Sequence, residues 1–299
     1  MLDGVFAAIS GLEANQTMLN VTANNIANVN TVGYKEQGVS FSDALTQISR
    51  GASAATTSTG GVNPIQIGLG VQIAATNPVM GSGTLAPTGN PLDIAIEGNG
   101  FFRVGNGAPP AAAPYTTGVP TTVDYTRAGN FTTDAAGFLT TQEGQYVIGR
   151  SATATTSGGV TSYAPSTTDT YLHIPPGSAN VTIGTDGSVN YTDEAPASAT
   201  FGQTVVAGYI SLATFPNQQG LQRLGASDWA ATSNSGAEAV GTPGTLGYGQ
   251  TIGGQLEQSN VDLASDMTSM VTAQNGYDAN SRVIQTADAM LNQLMQVIQ

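Results

Sequence analysis

Leu2-Asp3-Gly4-Val5-Phe6-Ala7-Ala8-Ile9-Ser10-Gly11-Leu12-Glu13 opens a stretch, running on to Val29, whose reading decides the fold. Leu2, Val5, Ile9, Leu12, Leu19 and Ile26 fall on alternating steps of 3 and 4, with only Gln16 and Ala23 less apolar at the intervening positions. No Pro interrupts the pattern, and Gly4 and Gly11 are its only glycines. So narrow a seam describes a coiled-coil strand rather than a surface helix with a wide apolar stripe. The other faces carry Asn, Gln, Thr and Ala with almost no charge. The spacing predicts a helix over 2–29 that stops among Asn28, Asn30 and Gly33, residue types that accept left-handed or turn backbone.

The far end repeats the signal. Leu263, Met267, Met270, Gln274, Tyr277, Ser281, Ile284, Asp288, Leu291, Met295 and Ile298 keep the same steps. They predict a helix over 260–298, with Ser259 or Asn260 as N-cap and Asp262 in a first turn where negative charge suits the helix dipole. The two terminal helices are expected to pair. A lone pair cannot bury both seams together with the flanking Phe6, Met18, Val271 and Leu294, so the helices are expected to complete their core against copies of the chain. Their sparse charge agrees, because charged groups are depleted in buried interface cores.

Between the helices the period changes. Residues 50–64 are small or polar without periodicity and read as a flexible linker or extended arm within 35–79. Leu92, Ile94 and Ile96 alternate with Asp93, Ala95 and Glu97, and a strand is expected at 101–104. Asp134-Ala135-Ala136-Gly137 and Thr185-Asp186-Gly187 each sit between β-patterned runs as hairpin loops, and 205–215 reads as a further strand. Stretches 105–123 and 151–170, rich in Pro, Ala, Thr, Ser and Gly, read as surface loop insertions, and 233–254 as the return connector. The expected fold is α+β: a discontinuous two-helix, coiled-coil-like terminal domain (1–34 and 256–299), a linker or arm (35–79) and a central all-β domain (80–250).

Composition removes whole classes of function. The 299 residues hold 7 Lys+Arg against 20 Asp+Glu, a net charge of −13, with one His and no Cys. One lysine and six scattered arginines make no basic stripe for a phosphate backbone or an anionic membrane. No disulfide, thiolate or Cys-based metal site is possible. No apolar run is long enough to span a membrane, and no basic, apolar leader opens the chain. His173 stands alone in Tyr-Leu-His-Ile-Pro-Pro, and Asp193-Glu194 and Asp93/Glu97 are the nearest approach to paired catalytic carboxylates. A catalytic cleft needs convergent titratable groups. The expectation is therefore no enzyme, no cofactor, no metal and no nucleic acid. A secreted β-rich adhesin or binding module stays open, although it would not need heptad helices at both ends.

Several segments together resemble the axial proteins of the bacterial flagellum, the rod and hook subunits. They are Ala23-Asn24-Asn25-Ile26-Ala27-Asn28-Val29-Asn30-Thr31-Val32-Gly33-Tyr34-Lys35, Thr88 through Phe102, Tyr125-Thr126-Arg127-Ala128-Gly129-Asn130-Phe131, Leu256 through Leu263, and Gln274-Asn275-Gly276-Tyr277. Phe41-Ser42-Asp43-Ala44-Leu45 and Gln66-Ile67-Gly68-Leu69-Gly70-Val71 look most like compact hook proteins, with the distal rod protein as the alternative. The resemblance implies a hollow helical homopolymer whose inner tube is made by the terminal helices. It also implies export by the flagellar type III apparatus without a cleaved signal, and neighbours among the rod, hook-cap and hook–filament junction proteins. Self-assembly is then expected to rest on Leu2, Val5, Ile9, Leu12, Leu19, Asn24, Asn25, Ile26, Asn28, Asn30 and Gly33, and on Met267, Met270, Gln274, Tyr277, Ile284, Leu291 and Met295.

Overall fold

The structure, a computed structural model, describes residues 2–55, 60–110, 115, 120, 122–157, 160–194 and 200–298, without the side chains of 2, 3, 155–161, 294, 297 and 298. The fold is α+β, with one helix near each end of the chain and a large β region between them. The chain divides into two compact units, Met1–Val29 with Glu36–Val79 and Val261–Gln299, and Asn30–Lys35 with Met80–Asn260.

In the first unit, helix α1 spans Leu2–Ala27 and helix α2 spans Leu263–Ile298. The cap of α2 is Asp262, later than Ser259 or Asn260. Its Oδ1 accepts the N–H groups of Ala264 (2.9 Å) and Ser265 (3.3 Å), while the Asn260 amide is engaged by the carbonyl of Gly81 (3.1 Å). The helices run antiparallel without slip. Gly11 faces Asn280, Gly276 faces Asn15, and Asn25 hydrogen-bonds Asp266.

The segment 35–79 carries more structure than a flexible linker. Gln37–Asp43 pairs with Val71–Pro78, Thr46–Arg50 pairs with Ile65–Gly68, and Ser53 bridges Val62. Val39, Ile48, Ile65, Ile67, Val71 and Ile73 supply the β-branched residues that favour such ribbons. Gly70, at φ +120°, lets the ribbon lie against α1: a Cβ there would collide with Ser10, whose hydroxyl accepts the Val71 N–H at 3.3 Å. Of the expected linker, residues 56–59 lie outside the described residues.

The second unit is built on one antiparallel sheet. Its main path runs Ala179–Ile183, Ser188–Thr192, Thr204–Ile210, Tyr146–Ser157, Phe101–Gly105, Asp124–Thr126, Asp228–Ala230, Gln222–Gly225. Ile94, Ile96, Phe102, Val104, Phe131, Leu139, Val147, Leu172 and Ile210 form its main core. Ile94–Glu97 departs from the alternation expected of it, because Ala95 is as buried as Ile94 and Ile96. The expected strand over 205–215 breaks at the buried Ser211, whose hydroxyl donates to the Ile148 carbonyl at 2.8 Å. Stretch 151–170 is no loop: Tyr146–Ser157 and Val160–Tyr171 make a long hairpin, with a register shift between Arg150 and Ala152. Its threonines favour extended backbone, which composition alone does not reveal. Within 105–123, residues 111–114, 116–119 and 121 lie outside the described residues.

Gln222–Gly225 and Asp228–Ala230 meet across Ala226 and Ser227, at φ +52° and +66°. Two left-handed residues in a two-residue hairpin loop are a position for Asn-Gly, and alanine is strained there by about 1 kcal/mol. Ala226→Asn is therefore expected to stabilise the β unit by up to about 1 kcal/mol, read as a higher urea midpoint with an unchanged slope.

Candidate self-assembly surface

The helices share a different face from the one the apolar spacing suggests. Gly11, Asn15 and Asn25 of α1 meet Asn280, Gly276 and Asp266 of α2, and Ala8, Thr22 and Ala273 are buried on the same faces. Each set lies one position N-terminal to the large-residue seam, a rotation of about 100°. The physical reason is close approach. A Cβ on Gly11 would stand 2.5 Å from Asn280 Nδ2, and one on Gly276 would stand 2.8 Å from Asn15 Oδ1. Glycine and alanine make the holes, and asparagines fill them.

The large apolar side chains are left outside this contact. Phe6, Ile9, Met267, Val271, Tyr277, Leu291 and Met295 are exposed, Met267 at 55% and Met295 at 60%. Val5, Leu12, Leu19, Ile26, Met270 and Ile284 are half-buried. The side chain of Leu2 lies outside the described residues, as do those of Leu294 and Ile298. The register that sets Gly11 against Asn280 places residue 2 opposite 289. Residues 290–298 of α2, with Met290, Leu291 and Met295, therefore run on past the start of α1. With the overhanging helix end, these residues make an exposed apolar strip.

Polar members of the expected set divide. Gln274, Asn24 and Asn30 are exposed, and Asn28 donates to the Asn24 side chain at 2.7 Å. Two of the set are internal to the subunit. Asn25 is 1% exposed because both ends of its amide bind the Gln37 backbone at 3.0 Å, besides meeting Asp266. Gly33 is buried at φ +67°, its N–H donates to the Glu257 carbonyl at 2.9 Å, and a Cβ would stand 2.5 Å from Ala128 N. Their side-chain positions serve the subunit's own fold.

Sequence reading missed a buried ionic cluster in the β unit. Glu257, with no exposure, takes Lys35 Nζ at 2.6 Å and the Gly83 N–H at 2.9 Å on Oε1, and Arg127 Nη1 at 3.2 Å on Oε2. Lys35 also donates to Gly81 O (2.9 Å), and Arg127 to Gly98 O (2.7 Å). Burial lowers the proton affinity of both cations, and Glu257 opposes that shift in each. The cluster fastens together the chain that follows α1, the chain that precedes α2, and the sheet.

His173 stacks on Tyr115 with ring centroids 4.5 Å apart and binds the Ala136 carbonyl through Nε2 at 2.9 Å. Among the described residues no group of His, Asp and Glu is placed to hold a metal ion. A cleft of about 430 Å³ is lined by Thr31, Thr126, Glu143, Ser227 and Asp228. There burial pushes the Asp228 carboxyl up to about 6, against the hydroxyl of Thr126, with Glu143 and Asp124 adding to the rise.

Three family descriptions match the chain: "Flagella basal body rod protein" over residues 7–35, "Flagellar hook protein FlgE/F/G D1 domain" over 95–191, and "Flagellar basal body rod FlgEFG protein C-terminal" over 252–297. The chain is 37% identical over 296 residues to flagellar basal-body rod protein FlgG of Bacillus subtilis (strain 168), covering 99% of this chain and 98% of that protein. It is 35% identical over 293 residues to the protein of the same name from Caulobacter vibrioides, covering 97% of each. The chain belongs to the flagellar rod and hook axial protein family. It is an axial structural protein of the flagellum, a family of rod-forming components rather than known enzymes. Lys35, Arg127 and Glu257 each fall in a different matched segment of the family.

Two outcomes test this geometry. Glu257→Ala leaves two buried cations unpaired and is expected to cost about 3–5 kcal/mol in urea unfolding of the β unit. Asp228, whose ordinary value is 3.8, titrates near 6 when folded, so the stability carried by its protonated form is complete below pH 4 and lost as pH rises through 6. Asp228→Asn is expected to flatten the fall in unfolding free energy between pH 4 and pH 6.

Proposed function

We propose that the chain is the distal rod subunit, polymerising into a stiff hollow tube that carries torque through the basal body. The observation behind self-assembly is the arrangement of the helices: small and polar residues close the pair, and large apolar ones stay outside it. Copies bring those strips together, forming the inner tube with Leu12, Leu19, Met267, Met270, Tyr277 and Leu291 at the contacts. The β unit forms the outer layer.

Rod is favoured over hook for two reasons. Rod proteins match over nearly the whole chain at 37% and 35% identity, whereas flagellar hook protein FlgE of Borreliella burgdorferi matches at 25%. The second reason is mechanical. A bending joint suits a loose linker that absorbs displacement, but 37–78 is tied into two hydrogen-bonded ribbons. This reading replaces the hook expected from the resemblance of 41–45 and 66–71. Type III export, without a cleaved signal, delivers the subunit to the growing tip, and its neighbours are other axial proteins of the rod and hook.

Electron microscopy of the native polymer is expected to show straight tubes; curved, variable tubes would return the assignment to hook. Deleting 288–299 is expected to abolish polymerisation, because it removes the overhanging end of α2. Circular dichroism is expected to show more helix in the polymer than in the monomer, since the apolar strips gain partners only on assembly.

A further inference from the structure

The root of the helical unit gathers the carboxylates of Asp262, Asp266 and Glu36. Asp262 caps α2 and is exposed, while Asp266, one turn on, is 5% exposed. Asn25 holds the Asp266 carboxylate on one side, but its Oδ2 is buried with no hydrogen-bond partner. Burial raises the Asp266 carboxyl from its ordinary value, against the Asn25 hydrogen bond and with a smaller push from the charge of Asp262. Glu36 rises through burial and then the charges of Asp266 and Asp262. Among the described residues no cation lies within ion-pair distance of Asp262 or Asp266. A buried carboxylate oxygen without a donor is costly and invites one.

The chain has few donors to offer. Lys35, Arg103 and Arg127 are ion-paired in the β unit, Arg150 donates to the Val240 carbonyl, and Arg223 lies over Tyr34 and Trp229. Arg50 donates to the Asn63 carbonyl at 3.3 Å. Arg282 is exposed on α2 and makes no ion pair among the described residues. It stands 16 residues beyond Asp266 and 20 beyond Asp262 on one continuous helix, about 24–30 Å away. It cannot serve those carboxylates in its own chain.

We propose that Arg282 of one copy seats against the Asp262 and Asp266 carboxylates of an adjacent copy and so sets the stagger between neighbouring α2 helices. The proposal rests on the polymer reading above and adds a register to it. The planar guanidinium suits a carboxylate pair, meeting exposed Asp262 directly and neutralising Asp266 behind it. Apolar strips alone specify register weakly, because methionine and leucine side chains repack on sliding. One charged contact per copy makes a single stagger, about 24–30 Å, the favoured one.

In full-length chain, exchanging the charges as Arg282→Glu with Asp262→Arg is expected to restore most of the polymerisation that Arg282→Glu alone loses. Arg282→Glu is expected to raise the critical concentration about tenfold. Because Asp262 also caps α2, Asp262→Asn keeps a capping oxygen and removes the charge. It is expected to raise the critical concentration and weaken its salt dependence, whereas a purely capping role would leave both unchanged. An unchanged critical concentration in Arg282→Glu would overturn this contact and leave the polymer reading standing. So would rescue of Arg282→Glu by Glu13→Arg or Asp278→Arg when Asp262→Arg fails to rescue. An unaltered chain that never polymerises would overturn both.

Discussion

The constraint on which the helical unit turns is the close approach of α1 and α2 at Gly11 and Gly276. With no side chain at either position, Asn280 and Asn15 fill the space, and the helices meet through alanines, asparagines and small hydroxyl residues. A pair closed this way needs none of its large apolar side chains for its own contact. Had Met267, Met270 and Tyr277 formed the intrachain seam, the pair would have buried more oil and left little to join one copy to the next. Small residues inside the subunit and large ones outside it are two halves of one solution, because a helix has only so much face to allot.

Charge follows a comparable economy. Most of the seven cations are engaged within the chain. Lys35 and Arg127 converge on Glu257, a carboxylate with no exposure, at the place where the chain enters and leaves the β unit. Such a cluster contributes little net stability compared with a well-packed apolar one, yet removing a member is severe. What it supplies is position. It ties Lys35, Arg127 and Glu257, which lie far apart in sequence, into one bonded, buried cluster.

The helices and many strands were legible because they depend on period. Heptad steps gave both helices, and Gly137 and Gly187, at φ +92° and +80°, sit in the hairpin loops expected of them. The face each helix buries was not legible. Hydrophobic spacing finds the strip with the most oil, and it cannot tell whether a strip meets its own chain or another copy. Here the small-residue strip one position away is the internal one. The Thr-rich hairpin at 146–171 and the ribbons of 37–78 were missed for a related reason: composition rich in Ser, Thr, Gly and Ala resembles a loop, while backbone pairing depends on register between distant segments. The Glu257 cluster depends on three-dimensional neighbours such as Gly83 and Arg127, which no local window contains.

A polymer of subunits each carrying −13 faces repulsion, so its assembly needs a short-range attraction that outweighs it. Repulsion between exposed charges fades over a Debye length of about 8 Å at physiological salt, so most of the 20 carboxylates act only on near neighbours. Burying one large apolar side chain contributes roughly 1.5–3 kcal/mol, and each copy exposes at least seven such residues on its helices. Even partial burial of that set exceeds the screened repulsion. The balance differs for the isolated subunit, which keeps its charge but has no partner for its strips. Acidity then favours dispersal before assembly, while the apolar faces favour cohesion after it. The same sequence meets both demands because large apolar residues stay exposed along both helices.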